Sequence, residues 1–223
     1  MVPPQHTRDD EDPALQLSAA ALLEWKNNVE ILIRGIAHAL NNRAAALSAV
    51  IELSRDVEDS DDDPEATRSI LSAELSRVTE LAKVMRTIGR PRPGVEAFAP
   101  SDAADESLAV LQLYLDQRDN PVTIDAAGAP PVRVQRWMFV RALIALGAAA
   151  SNGGSHTGGT SVRISITADG DWVRTRIDGM TAPTAQFSPY AAELARAMGG
   201  ELLQGQLGFR VPSLTAVRQR EAL

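Results

Sequence analysis

The chain has 223 residues, 44% of them hydrophobic, which is enough for one large domain or two small ones and carries no compositional mark of disorder. Its 22 Lys and Arg against 29 Asp and Glu give a net charge of -7, which argues against a nonspecific grip on nucleic-acid phosphates and favours a basic protein partner. The absence of cysteine excludes disulfide frameworks, thiolate nucleophiles and cysteine-based zinc sites together, and fits a reducing compartment.

The stretch Met1 to Pro13 is polar, acidic and proline-containing, so residues 1–14 are expected to form a disordered lead, neither a signal peptide nor an anchor. Nothing approaches the ~18 consecutive apolar residues that a membrane span requires. The expectation is a soluble cytoplasmic protein with no membrane and no nucleic-acid partner.

From about Gln16 to Val57 there is no proline and a single glycine, Gly35. Apolar residues recur at steps of three and four (Leu22, Trp25, Val29, Leu32, Ile36, Leu40, Leu47), with a weak step at Arg43 and Ala44, and predict one long helix. The acidic cluster Glu58 to Asp63 followed by Pro64 predicts a turn and a new helix start, with acids placed favourably on the helix dipole. A second helix is predicted from about Pro64 to Ile88, striped by Ile70, Leu71, Leu75, Val78, Leu81, Met85 and Ile88. Two helices on a short turn form an antiparallel hairpin, which alone buries one seam. A second copy would close a four-helix bundle, so a homodimer is expected; the alternative is that the helices pack onto the rest of their own chain.

Arg90-Pro-Arg-Pro-Gly94 breaks the helical pattern and marks a linker. Beyond it, strands are predicted at Val95 to Ala99 and Val122 to Asp125, helices at Ser101 to Leu115 and Val134 to Ala150, and a hairpin from Ser161 to Thr167 and Trp172 to Ile177 turning at Asp169-Gly170. Pro189 to Met198 reads as a helix stopped by Gly199-Gly200, before closing strands at Glu201 to Gln204 and Phe209 to Val211. The fold class is therefore α+β: a helical hairpin over residues 15–90, then an α/β sandwich over residues 95–215 with helices on one face of its sheet.

His38 lies two residues after Ile36 and two before Leu40, about 200° around a helix from each, so it points away from the apolar stripe. Arg34 and Asn42, one turn either side, share its face. A neutral imidazole is a competent nucleophile near pH 7, a guanidinium balances incoming negative charge, and a carboxamide orients a water or an oxygen, so the set suits phosphoryl chemistry. The plain alternative for such a residue is a solvated surface histidine. His6 and His156 lack such neighbours, and His156 falls in the glycine-rich Asn152 to Gly159, which follows a helix rather than opening one and so reads as a loop. Asp59 to Asp63 reads as a solvated turn rather than a metal cluster, and Trp25, Trp137 and Trp172 read as packing residues.

The stretch Gly35-Ile-Ala-His-Ala-Leu-Asn-Asn42 resembles the H-box of bacterial two-component sensor histidine kinases. The succession of long hairpin, linker and α+β domain, from about Leu17 to Leu214, also resembles that family's dimerisation-and-phosphotransfer plus catalytic layout. The resemblance implies His38 as phospho-acceptor and Asn42 as the polar residue that assists phosphatase chemistry. Arg34, Asn41 and Arg43 are added as candidate phosphoryl or receiver contacts.

Departures from the family shape the expected function. Ala39 stands where a kinase carries an acidic base, and Arg43 where proline commonly follows the polar pair. Gly147 stands where the resemblance places a magnesium-binding asparagine. Asp178-Gly-Met-Thr-Ala182 keeps the aspartate that would face adenine and loses both glycines, and about ten residues separate it from the next helix, too few for a nucleotide lid. The second domain is thus read as a degenerate catalytic domain that binds no ATP and no cofactor, magnesium being supplied by a partner. The expected function is a histidine phosphotransferase passing phosphoryl groups between response-regulator receiver domains; the alternative is a non-catalytic pseudokinase module that sequesters or regulates two-component partners. A divergent ATP-dependent kinase is opposed by Ala39, Gly147 and the missing lid.

Overall fold

The computed structural model describes residues 16–56, 64–89, 94–115, 122–153, 162–181, 187–204 and 206–222. The expected disordered lead, the acidic turn, the linker around Pro91 and the loop bearing His156 lie outside them. Helix α1 (Ala19–Asp56) is 38 residues long and runs unbroken past Arg43, as the lack of proline there allows. The Ser18 hydroxyl accepts from the Ala21 N–H at 3.3 Å, capping its first turn. Helix α2 (Pro64–Gly89) begins on its proline, with Glu65 in the first turn and Arg86 in the last, each charge complementing the helix dipole.

The chain continues through β1 (Glu96–Phe98), α3 (Pro100–Leu115), β2 (Val122–Asp125), β3 (Val132–Val134), α4 (Arg136–Gly153), β4 (Val162–Asp169), β5 (Trp172–Thr181), α5 (Pro189–Ala197), β6 (Glu201–Leu202), β7 (Gln206–Pro212) and α6 (Leu214–Glu221). A five-stranded sheet has the order β2-β4-β5-β7-β6, parallel between β2 and β4 and antiparallel elsewhere, and β1 pairs with β3 in a separate two-stranded ribbon. The architecture is α+β, as the sequence implies.

Alternation along the strands decides which face is covered. In β4, Val162, Ile164 and Ile166 are buried while Arg163 and Thr167 are exposed, so one face meets the helices and the other meets solvent. Gly170, at φ 61°, makes the tight β4–β5 turn that leaves Asp169 opposite Trp172. Helix α5 opens with Pro189 and the Ser188 hydroxyl accepting from the Ala191 N–H at 3.0 Å, and it ends where Gly199 takes φ 72°. Gly200 must follow, because a Cβ there would lie 2.2 Å from the Arg210 carbonyl oxygen.

The core lies between the sheet and helices α3, α4 and α5. Phe139 on α4 is fully buried and meets Phe98 and Phe209 edge-on, with ring centroids 5.8 and 5.9 Å apart. Such pairs contribute about 0.5–1.5 kcal/mol each beyond the area they bury.

Two elements differ from the sequence reading. Val134, expected to start a helix, ends strand β3, and α4 begins at Arg136. Helix α6 was not expected; the Ser213 hydroxyl caps it by accepting from the Ala216 N–H at 3.2 Å. The hairpin also divides between its faces. Leu32 and Ile36 on α1 and Val84 and Ile88 on α2 join the core of their own chain, whereas Ile33, Ile51, Ile70 and Leu75 are exposed.

Candidate phosphoryl-transfer site

His38 sits on α1 between Ile36, which joins the core, and Leu40, which packs against it, and its side chain is exposed. The structure brings Asn42 to it: Asn42 Nδ2 is 3.2 Å from His38 Nε2, the i to i+4 approach a helix provides. In the tautomer protonated at Nδ1, the Asn42 amide donates to Nε2, which marks Nε2 as the nitrogen carrying the lone pair. Both side chains are exposed, so the carboxamide can swing aside for an electrophile and return to it. Asn41, also exposed, neighbours this pair.

The two arginines divide. Arg34 is exposed and its Nη2 lies 3.4 Å from Glu30 Oε1, an i,i+4 ion pair on the face that carries His38. Arg43, five residues beyond His38, is rotated by about 140° and turns instead into the seam between the helices. Its Nη1 lies 3.3 and 3.5 Å from the two carboxylate oxygens of Glu74 on α2. Glu74 is only 5% exposed and is held by Arg77 as well, so its charge is compensated from both helices. Glu74 escaped sequence reasoning, although one signal was present: a carboxylate at a stripe position, three residues after Leu71 and four before Val78.

In the sandwich, the places where the resemblance puts nucleotide contacts are otherwise engaged. A Cβ on Gly147 would lie 2.7 Å from Leu111 Cδ1 and 2.9 Å from Cδ2, so this position is closed by α3 packing on α4. Asp178 Oδ1 accepts from Ser165 Oγ at 3.1 Å and lies 2.9 Å from Arg176 Nε. Its Oδ1 is thereby engaged within the sheet. Among the described residues, no three His, Asp or Glu side chains group as a metal site.

The tryptophans pack. Trp25 stacks on Tyr190 with ring centroids 4.7 Å apart, Trp137 lies 5.1 Å from the Arg141 guanidinium, and Trp172 lies 4.8 Å from that of Arg210. Burial pushes the Tyr190 hydroxyl above the usual tyrosine range. The hydrogen bond from Arg174 holds the Asp169 carboxyl below the usual carboxylate range, with Arg210 adding to it. A cleft of about 720 Å³ opens between the end of α2 and the sandwich, lined by Lys83, Arg86, Thr87, Glu106, Arg136 and Trp137 among others. Glu106 spans it, accepting from Thr87 Oγ1 at 2.9 Å and from Arg136 Nε at 3.3 Å.

No family model and no curated protein matches the chain. Solved structures similar to it include histidine kinases. The Acinetobacter baumannii histidine kinase AdeS is 19% identical with a TM-score of 0.43, the match covering 79% of this chain and 98% of that one. The nucleotide-free catalytic domain of histidine kinase ThkA is 14% identical with a TM-score of 0.39, covering 54% of this chain and 97% of that one. Full-length ShkA in complex with AMPPNP is 15% identical with a TM-score of 0.40, covering 81% and 45%. Values this low carry no activity and no partner over to this chain. No helix among the described residues is long and apolar enough to cross a membrane.

Proposed function

We propose that this chain is a histidine phosphotransferase that relays phosphoryl groups between receiver domains through His38, without ATP. The observation that carries the reading is the exposed His38–Asn42 pair, 3.2 Å apart on one face of an unbroken helix. An incoming aspartyl phosphate of a docked receiver would meet Nε2 in line. The new P–N bond forms as the P–O bond to the aspartyl carboxylate breaks, and that carboxylate leaves with the bonding electron pair. The phosphorylated ring keeps its Nδ1 proton until the group passes to the next receiver. Most of the catalytic effect is then positioning and charge neutralisation, with Arg34 on the same face as the group that can leave Glu30 for the phosphoryl oxygens. Magnesium is carried by the receiver in this reading, and the chain itself takes no cofactor.

The closed position at Gly147 and the engaged Asp178 support transfer without a bound nucleotide. The exposed Ile33 and Ile51 on α1 and Ile70, Leu75 and Met85 on α2 support a homodimer through the hairpin. The division into a transfer hairpin at 15–90 and a degenerate catalytic domain at 95–215 belongs to the same proposal.

The test is transfer from radiolabelled phospho-receivers to the purified chain in the absence of ATP. Acid-labile, base-stable label on the parent, lost in His38→Ala with receiver binding kept, is the expected result. Binding of a receiver without any label would remove the relay and leave a non-catalytic module that sequesters receivers.

A further inference from the structure

Arg141 on α4 is a buried guanidinium, 8% exposed, and no carboxylate stands among the partners it shows. A buried cation needs compensation, and here part of it comes from the hairpin. Arg141 Nη2 donates to the Ile88 carbonyl oxygen at 2.6 Å, in the last turn of α2, where the helix dipole presents its negative end. Its guanidinium carbon lies 4.9 Å from the centre of the Trp25 ring on α1 and 5.1 Å from that of Trp137 on its own helix. Trp25 also stacks on Tyr190 of α5 with their planes 14° apart, and the Tyr190 hydroxyl accepts a hydrogen bond from Arg141. Two helix starts then exchange carboxylates: Tyr190 N–H donates to Glu24 Oε2 and Ser18 N–H donates to Glu193 Oε2, each at 2.8 Å.

We infer that Arg141, Trp25 and Tyr190 form a clasp that seats the α/β domain on the hairpin in one orientation, making that domain a fixed brace for the helix that carries His38. Both ends of the hairpin base are held at once, α1 through Trp25 and α2 through Ile88. Lifting the domain away would leave Arg141 with only Trp137 and Tyr190 of its own domain, and would part Trp25 from Tyr190. A domain held in this way does not travel to His38, so phosphoryl groups reach the imidazole from a docking partner. That last consequence rests on the relay reading; the seating itself does not.

The experiment measures the distance between the two parts in the full chain. Because the chain has no cysteine, Ser48→Cys on the exposed side of α1 and Thr167→Cys on the open face of the sheet take nitroxide labels at those two places only. Labelled chain is diluted with unlabelled chain so that distances between copies drop out, and pulsed dipolar spectroscopy gives the distribution. The parent is expected to show one narrow peak, and Trp25→Ala and Arg141→Met to lose it in favour of a broad spread. A broad spread in the parent, or a narrow peak kept by the folded variants, overturns the clasp. Should Arg141→Met fail to fold, Trp25→Ala decides. A chain with a narrow peak and no transfer to His38 would keep the clasp and lose the relay.

Discussion

The sandwich and the outer part of the hairpin bury their apolar residues to different extents. In α4 the run Ala142, Leu143, Ile144 and Ala145 is wholly buried within one chain, whereas Ile33 and Leu75 on the hairpin are 59% and 64% exposed. Among the described residues, the exposed large hydrophobics fall on α1 and α2 except for Val95. The sandwich therefore closes its own core, and the hairpin has apolar surface left along its length for another molecule. The lesson is that one chain can hold a finished domain beside an unfinished one, and that His38 stands on the unfinished part.

This contrast can be broken at its strongest point first. Phe139→Ala removes the ring at the centre of the Phe98–Phe139–Phe209 contacts and should cost about 3–5 kcal/mol in chemical denaturation. A loss below about 1 kcal/mol would mean that the sandwich core is not closed as described. Next, Gly147→Asn places a carboxamide where Leu111 already packs, and should cost about 1–3 kcal/mol without conferring magnesium-nucleotide binding by calorimetry. A stable variant that binds nucleotide would return the sandwich to the kinases. The smallest effect on folding is expected from Ile33→Asp with Leu75→Asp. Here the sandwich midpoint, read by tryptophan fluorescence, should move by no more than about 0.5 kcal/mol. Sedimentation equilibrium should show the same variant as a monomer and the parent as a dimer, and a monomeric parent would sink the homodimer.

What the sequence makes legible follows the range of the interactions. The boundaries of α2 were readable because Pro64 and the acidic residues act locally, and the β4–β5 turn because Gly170 sits alone between two β-branched runs. His38 and Asn42 were readable as neighbours because an i,i+4 pair needs only a helix. Strand β3 was not, since three residues beside a helix start give no period, and its partner β1 is far away in the chain. Arg43 was legible as a charge close to His38 in sequence, but its partner Glu74 depends on how the helices are set against each other. The Trp25–Arg141–Tyr190 contacts are likewise joined only by the tertiary fold, so the sequence marks Trp25 as a packing residue and gives no sign of its meeting with Arg141 and Tyr190.

Glu74 also bears on how the two helices of the hairpin are held in register. Sliding α2 along α1 by one turn, about 5.4 Å, would part Glu74 from Arg43 and set that guanidinium against Leu71 or Val78, both half-buried in the seam. The charge pair thus works as a stop that opposes piston strokes in either direction. A hairpin built with such a stop holds His38 at a constant height on α1 relative to α2.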